Sequence, residues 1–230
     1  MQIHLDARDL VDLAKVRLPA LQKQIPFAMA GALNDVMYAS RTAIMGEMAK
    51  VFDRPTPYVL RSLRYRKASK SDLAFELWSE EFGRTFTPAQ VLQAEITGGG
   101  RPMKRSEIAL GSYWVPGEGA KLDRYGNVRG ADISAMLSAL KLSNDPMQNR
   151  TRRSRAKAVR RGALRNYFRQ GNIIYLRNGR RIAPFLVLTK APSYHPRLAF
   201  EGKVTEILKS GFAEAFKVRF GRAVETAKAG

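Results

Sequence analysis

The chain has 230 residues, 45% of them hydrophobic, and a formal net charge of +20 from 40 Lys and Arg against 20 Asp and Glu. That apolar share can bury a real core and excludes disorder throughout, while the cation excess points to an acidic partner, nucleic acid ahead of an anionic membrane. The absence of cysteine excludes disulfide staples and thiolate metal sites and fits a reducing compartment.

Gln2 to Leu5 alternates polar and apolar residues and reads as a short edge strand. Met1 to Asp6 lacks the basic-then-apolar order of a signal peptide, and no run approaches the roughly 18 apolar residues that span a bilayer. The expectation is a soluble protein assembled in a cytoplasm. Asp6 or Asp9 can cap a helix through Leu10, Leu13 and Val16, which Pro19 kinks or restarts. Pro26 opens the strongest helical pattern, with Met29, Leu33, Val36, Met37, Ser40, Ile44, Met48 and Val51 recurring at three- and four-residue spacing. Its small residues, among them Ala28, Gly31, Ala32 and Ala39, allow a second helix or a neighbouring subunit to approach closely. Asp53-Arg54-Pro55-Thr56-Pro57 ends the helix, because each proline pushes its predecessor out of the α region.

From Arg61 the period changes to two. Leu63, Tyr65 and Lys67 oppose Leu73, Phe75 and Leu77 across Lys70-Ser71-Asp72, which predicts a hairpin with a second basic strip of Arg61, Arg64, Arg66, Lys67 and Lys70. Thr87-Pro88 is a helix start, with Thr87 as cap. Gly98-Gly99-Gly100-Arg101 reads as a flexible turn; it lacks the Gly-Lys-Ser/Thr ending of a phosphate-binding loop. Lys104 to Leu110 predicts a short helix. Residues 111–130 form a long loop rich in Gly, Pro and aromatics, and Tyr113, Trp114 and Tyr125 in it are candidates for a subunit contact or a packing lobe. Asp132 caps a helix through Ile133, Met136, Leu137 and Leu140.

Between Asp145 and Glu201 there is no Asp or Glu, yet the interval holds 14 cations, in which Arg outnumbers Lys six to one. Arginine's planar fork grips phosphate or carboxylate, whereas lysine serves plain solubility. The polyanion-facing candidates are Arg150, Arg152, Arg153, Arg155, Lys157, Arg160, Arg161, Arg165, Arg177, Arg180 and Arg181. The alternative is a solvated basic arm. Thr151 to Phe168 predicts an arginine-coated helix with a thin apolar face. Ile173–Arg177, Asn178-Gly179 and Arg180–Leu188 form a hairpin with a type I′ turn expected at Asn-Gly. Tyr167, Phe168 and Tyr175 have a spacing that fits core positions. An amphipathic helix closes the chain through Val204, Ile207, Leu208, Phe212, Ala215, Phe216 and Val224.

Motifs for catalysis are not found. His4 and His195 stand apart, no His, Asp or Glu grouping has metal-ligand spacing, and there is no Gly-x-Ser-x-Gly elbow. Asp123 with Asp132, or Glu80 with Glu81, is the pairing a nuclease would need, but single acids near helix starts are usually caps. The expectation is no enzyme, no cofactor and no metal.

Three stretches carry a resemblance. They are Gln24-Ile25-Pro26-Phe27-Ala28-Met29-Ala30 through Asn34 with Arg41 and Phe52-Asp53-Arg54-Pro55-Thr56; Gly99-Gly100-Arg101-Pro102 with Lys104-Arg105-Ser106-Glu107 and Leu122-Asp123-Arg124-Tyr125-Gly126-Asn127; and the basic hairpin at Asn178-Gly179-Arg180 before the final helix. Over nearly its whole length the chain resembles minor tail or neck proteins of tailed bacteriophages, and is similar to the minor tail protein Z group, the tail completion proteins of lambda-like phages. Residues 98–130 are longer and more aromatic than that group's pattern. The resemblance implies a structural virion protein, forming a cyclic homo-oligomer with other tail, neck or connector proteins and a basic surface facing packaged DNA or an acidic ring. It implies no catalytic residues. The alternative is a non-virion protein that binds nucleic-acid phosphate without sequence preference.

The expected fold class is α+β: a long N-terminal helix and a C-terminal amphipathic helix packed on antiparallel hairpins, with long loops and an arginine-rich segment. The expected division is 1–145, a scaffold, and 146–230, the arginine segment, hairpin and final helix, in one continuous domain.

Overall fold

The computed structural model describes residues 2–6, 24–81, 87–160 and 166–228, with no side-chain description for residues 2–6, 155, 158–160, 227 and 228. The fold is α+β, and the chain forms two units. The first takes residues 1–82, 87–98 and 195–230, and the second takes residues 83–86 and 99–194. The boundary therefore does not fall at 145. The chain leaves the first unit after Gly98 and returns at His195, because its final helix is needed to cover the first. The helix expected to begin at Asp6 or Asp9 lies outside the described residues.

In the first unit, helix α1 (Gln24–Val51) buries Ile25, Met29, Leu33, Val36, Met37, Ser40, Ile44 and Met48, the three-and-four spacing read from the sequence. Strand β1 (Gln2–Asp6) is an edge strand; β2 (Leu63–Arg66) and β3 (Ala74–Ser79) follow, in sheet order β1-β3-β2, all antiparallel. The central β3 sends Phe75 and Leu77 into the core. Short helix α2 (Pro57–Leu60) is capped by Thr56, whose hydroxyl accepts from the Val59 amide. Helix α3 (Pro88–Thr97) starts on a full capping box: the Thr87 hydroxyl accepts from the Gln90 amide and the Thr87 amide donates to Gln90 Oε1. The C-terminal helix α7 (Phe200–Lys228) packs along α1 and places Val204 in the same core, with Ile207, Leu208, Phe212 and Phe216 half-buried around it. Each large side chain buried here contributes about 1.5–3 kcal/mol.

Two bidentate ion pairs tie distant stretches of this unit. Arg219 donates to Asp35 at 2.7 and 2.6 Å, and Arg197 donates to the buried Glu95 at 2.8 Å to each oxygen. Gly31 sits under Arg219: a Cβ there would lie 3.1 Å from the arginine's Cδ. Ala28 and Ala32 are fully buried inside the chain, so they have no surface to offer a neighbouring subunit, whereas Ala39 is exposed.

The second unit is built on the sheet β5-β8-β7-β6, from β5 (Tyr113–Pro116), β6 (Asn166–Gln170), β7 (Ile173–Asn178) and β8 (Arg181–Thr189). Helices α4 (Arg105–Leu110), α5 (Gly130–Ala139) and α6 (Arg152–Arg160) belong to it, as does a two-residue ladder between β4 (Gly99–Gly100) and β9 (Ser193–Tyr194). The glycine triplet is thus partly a strand. Asp132 lies in the first turn of α5 rather than at its cap, which is Arg129.

Pro184 sits in the inner strand β8, where a missing N–H would cost a ladder bond. It is tolerated at a bulge: Tyr175 pairs with Pro184 and Ile174 with Leu186, so Phe185 is the extra residue and turns into the core. The Phe185 and Pro184 carbonyls instead accept from the amides of Gly117 (2.9 Å) and Gly119 (2.8 Å). A Cβ on Gly117 would stand 2.4 Å from the Pro184 carbonyl oxygen, so only glycine permits this approach. The stretch expected as one long loop thus begins with strand β5, and its Gly117 and Gly119 pack against Pro184 of the same unit. Trp114 is buried there, while Tyr113 and Tyr125 keep part of their surface.

The expected helix to Phe168 is overturned. Tyr167 and Phe168 point to opposite faces of β6, with Tyr167 paired to Leu176 in the core and Phe168 to Tyr175 outside. The strand pairing available from β7 overrides the helix propensity of the preceding arginine run.

Candidate polyanion surface

Charge is unevenly divided between the units. The second unit holds 21 of the 40 Lys and Arg but five of the 20 Asp and Glu, so it carries sixteen of the net twenty positive charges. One of those five acids, Glu107, is already committed. It is buried and accepts from both Arg101 Nη atoms at 2.6 Å and from the Lys104 amide at 2.7 Å. Burial pushes its carboxyl up, but the Arg101 and Lys104 hydrogen bonds outweigh this and hold it below the ordinary range. Asp123 and Asp145 are turn formers: Asp123 Oδ1 accepts from the Tyr125 and Asn127 amides, and Asp145 Oδ1 from that of Met147.

The predicted cations fall into two groups. Arg152, Arg153 and Lys157 stand exposed on α6, with no ion-pair partner among the described residues. Arg180 and Arg181 stand exposed at the tip of the β7–β8 hairpin, and Arg177 lies one turn of the pleat away. The tip itself differs from expectation. Asn178 pairs with Arg181, so the two turn residues are Gly179 and Arg180, and Gly179 alone of these has a positive φ, 64°. Glycine at the first turn position fits type II′ rather than I′, and it puts Arg180 at the apex. Arg150 is half-buried, its amide donating to the Ser138 carbonyl. Arg155 and Arg160 are helical with undescribed side chains, and Arg161 and Arg165 lie outside the described residues.

Sequence reasoning missed the outer face of the second sheet. Phe168 and Tyr175 are half-exposed and stack on each other at 5.4 Å between centroids, and the Arg177 guanidinium lies 5.7 Å from the Phe168 centroid. The signal was present as strict alternation, with Tyr167 in and Phe168 out.

A cavity of about 670 Å³ between α4 and α5 is lined by Lys104, Arg105, Ser106 and Ser134 but by no carboxylate and no histidine. Lys104 is held below its ordinary value by desolvation in that depression and by repulsion from Arg101. Glu80 pairs with Arg64, and His195 is exposed. Among the described residues no three His, Asp or Glu gather where a metal ion could sit, and no helix is long and apolar enough to cross a membrane. No protein-family model, no curated protein and no solved structure matches the chain.

Proposed function

We propose that this chain is a structural protein of a tailed bacteriophage, a tail completion or neck ring component at the head–tail junction. Its second unit turns a basic surface toward packaged DNA or an acidic neighbouring ring. The observation that carries the reading is the charge segregation: sixteen of twenty net charges in one unit, with Arg152, Arg153, Lys157, Arg180 and Arg181 exposed and without a carboxylate partner among the described residues. Contact of that kind is with phosphate, set by charge and independent of base sequence. The resemblance of residues 24–56, 99–127 and 178–180 to minor tail proteins supplies the virion context. In a cyclic ring each subunit joins the next through two unlike faces. Ala39, Tyr113 and Tyr125 keep surface for such a contact, which Ala28, Ala32 and Trp114 do not.

Quantitative mass spectrometry of purified particles tests the proposal. A fixed copy number of about 6 or 12 per particle, as a cyclic ring requires, supports it. Absence from particles, with abundant protein in the infected cytoplasm, sinks it and favours a free nucleic-acid binder. That second reading has its own support in the half-exposed Phe168–Tyr175 pair. Nucleic acid bound to the free chain in the infected cytoplasm, without base-sequence preference and released as salt rises, would be its mark, since phosphate binding weakens steeply with salt.

A further inference from the structure

The second basic strip read from the sequence is not uniform. Arg64 is paired with Glu80, and Arg66 with Asp72 and Glu76, so two of its cations are already neutralised. Lys67 and Lys70, in the loop between β2 and β3, have no carboxylate partner among the described residues. What they have is a ring each. Lys67 Nζ lies 5.3 Å from the centroid of Tyr38, and Lys70 Nζ lies 5.2 Å from that of Phe27. Arg41 adds a third: its guanidinium lies 5.8 Å from the Tyr65 ring while its Nε donates to the Leu63 carbonyl.

One residue organises this. Asn34 donates to the Ala68 carbonyl at 3.0 Å and accepts from the Ala68 amide at 2.9 Å, pinning the loop to α1. Phe27, Asn34, Tyr38 and Arg41 are spaced by seven, four and three residues and share one helix face. The pinned loop and strand β2 therefore run beside that face, over about 21 Å of helix from Phe27 to Arg41. Phe27 is 50% exposed, and Tyr38 and Tyr65 are 38% exposed and pack edge to face at 5.4 Å. The Lys67 hydrogen bond also holds the Tyr38 phenol below its ordinary value.

We infer that this strip of Arg41, Lys67 and Lys70 interleaved with Phe27, Tyr38 and Tyr65 is a second binding surface, in the first unit, for a nucleic-acid backbone. The neutralised neighbours carry the argument. The first unit has 15 acids and spends three on Arg64 and Arg66, yet leaves Lys67 and Lys70 exposed, and Arg41 half-exposed, beside exposed rings. Interleaved cations and aromatics are what a phosphodiester strand uses, whereas lysine is depleted from protein–protein interfaces. The inference goes beyond the neck role and stands or falls separately from it, because binding is measured on the isolated chain.

The test is fluorescence anisotropy of the full chain with a labelled 20-nucleotide single strand and the corresponding duplex, across a salt series. Lys67→Ala with Lys70→Ala is compared with Lys209→Ala with Lys217→Ala, an equal charge loss at exposed sites on α7. The strip variant is expected to lose affinity tenfold or more. Its slope of log affinity against log salt should shrink by about 1.4 for the single strand or about 1.8 for the duplex, two contacts' worth. The α7 variant should change less than threefold. Equal losses in both variants would mean net charge alone and would overturn the inference. So would unchanged DNA binding in the strip variant together with lost binding to labelled polyglutamate, which would make the occupant an acidic protein segment.

Discussion

Replacing Asn34 by alanine removes two hydrogen bonds and leaves the Ala68 amide and carbonyl without partners. Each such bond contributes about 0.5–1.5 kcal/mol net, so the pair accounts for about 1–3 kcal/mol. Ala68 is only 6% exposed, so water cannot readily replace the lost partners, and the expected cost lies near 2 kcal/mol. With a urea slope of about 2 kcal/mol/M, the midpoint should fall by about 1 M. The two tryptophans make the assay specific, since Trp78 lies on β3 in the first unit and Trp114 on β5 in the second. In single-tryptophan chains, Asn34→Ala should shift the Trp78 transition and leave that of Trp114 in place. A Trp78 midpoint moved by less than about 0.2 M would refute the clamp, because the cost would then fall below even one ordinary hydrogen bond.

Other outcomes follow from the same geometry. Glu107→Gln should cost the second unit about 3 kcal/mol at neutral pH, read from Trp114 in urea, because it breaks a buried bidentate pair with Arg101. The Glu107 carboxyl is depressed in the folded chain, so its stabilisation is present above the unfolded value near 4.3 and lost as pH falls through the folded one. Acid titration of the wild type should show that loss, and Glu107→Gln should flatten it. Gly117→Ala drives a methyl into the Pro184 carbonyl and should destabilise the second unit by about 1–3 kcal/mol, again by Trp114 unfolding. Arg152→Glu with Arg153→Glu should give a chain of unchanged circular dichroism that no longer supports infectious particles; normal particle yields would remove α6 from the polyanion surface.

The strip and the long loop show where the sequence was legible. Periodicity located α1, the two hairpins and α7, because burial of one helix stripe or one strand face is written directly into residue spacing. The Thr87 cap and the hairpin at Gly179 were legible for the same reason: turn and cap chemistry is local. The II′ tip was not, since the pairing of Asn178 with Arg181 is set by strand register. Composition located the acid-free arginine run but not the partners of the earlier basic strip, as a carboxylate ten or sixteen residues away gives no periodic signal.

By itself, then, the chain's order of residues determined the α+β class, the long helices, the hairpin pattern and the excess of positive charge, all of which depend on neighbours within a few turns. Tertiary structure alone decided which small residues of α1 are buried, that Phe168 is a strand residue facing out, and that Gly117 and Gly119 serve a bulge at Pro184. It also decided which stretches share a unit, because the chain departs after Gly98 and comes back at His195. Those features depend on long-range pairing, in which α7 covers α1 and β8 reaches β5, and on Asn34 fixing a loop 34 residues away.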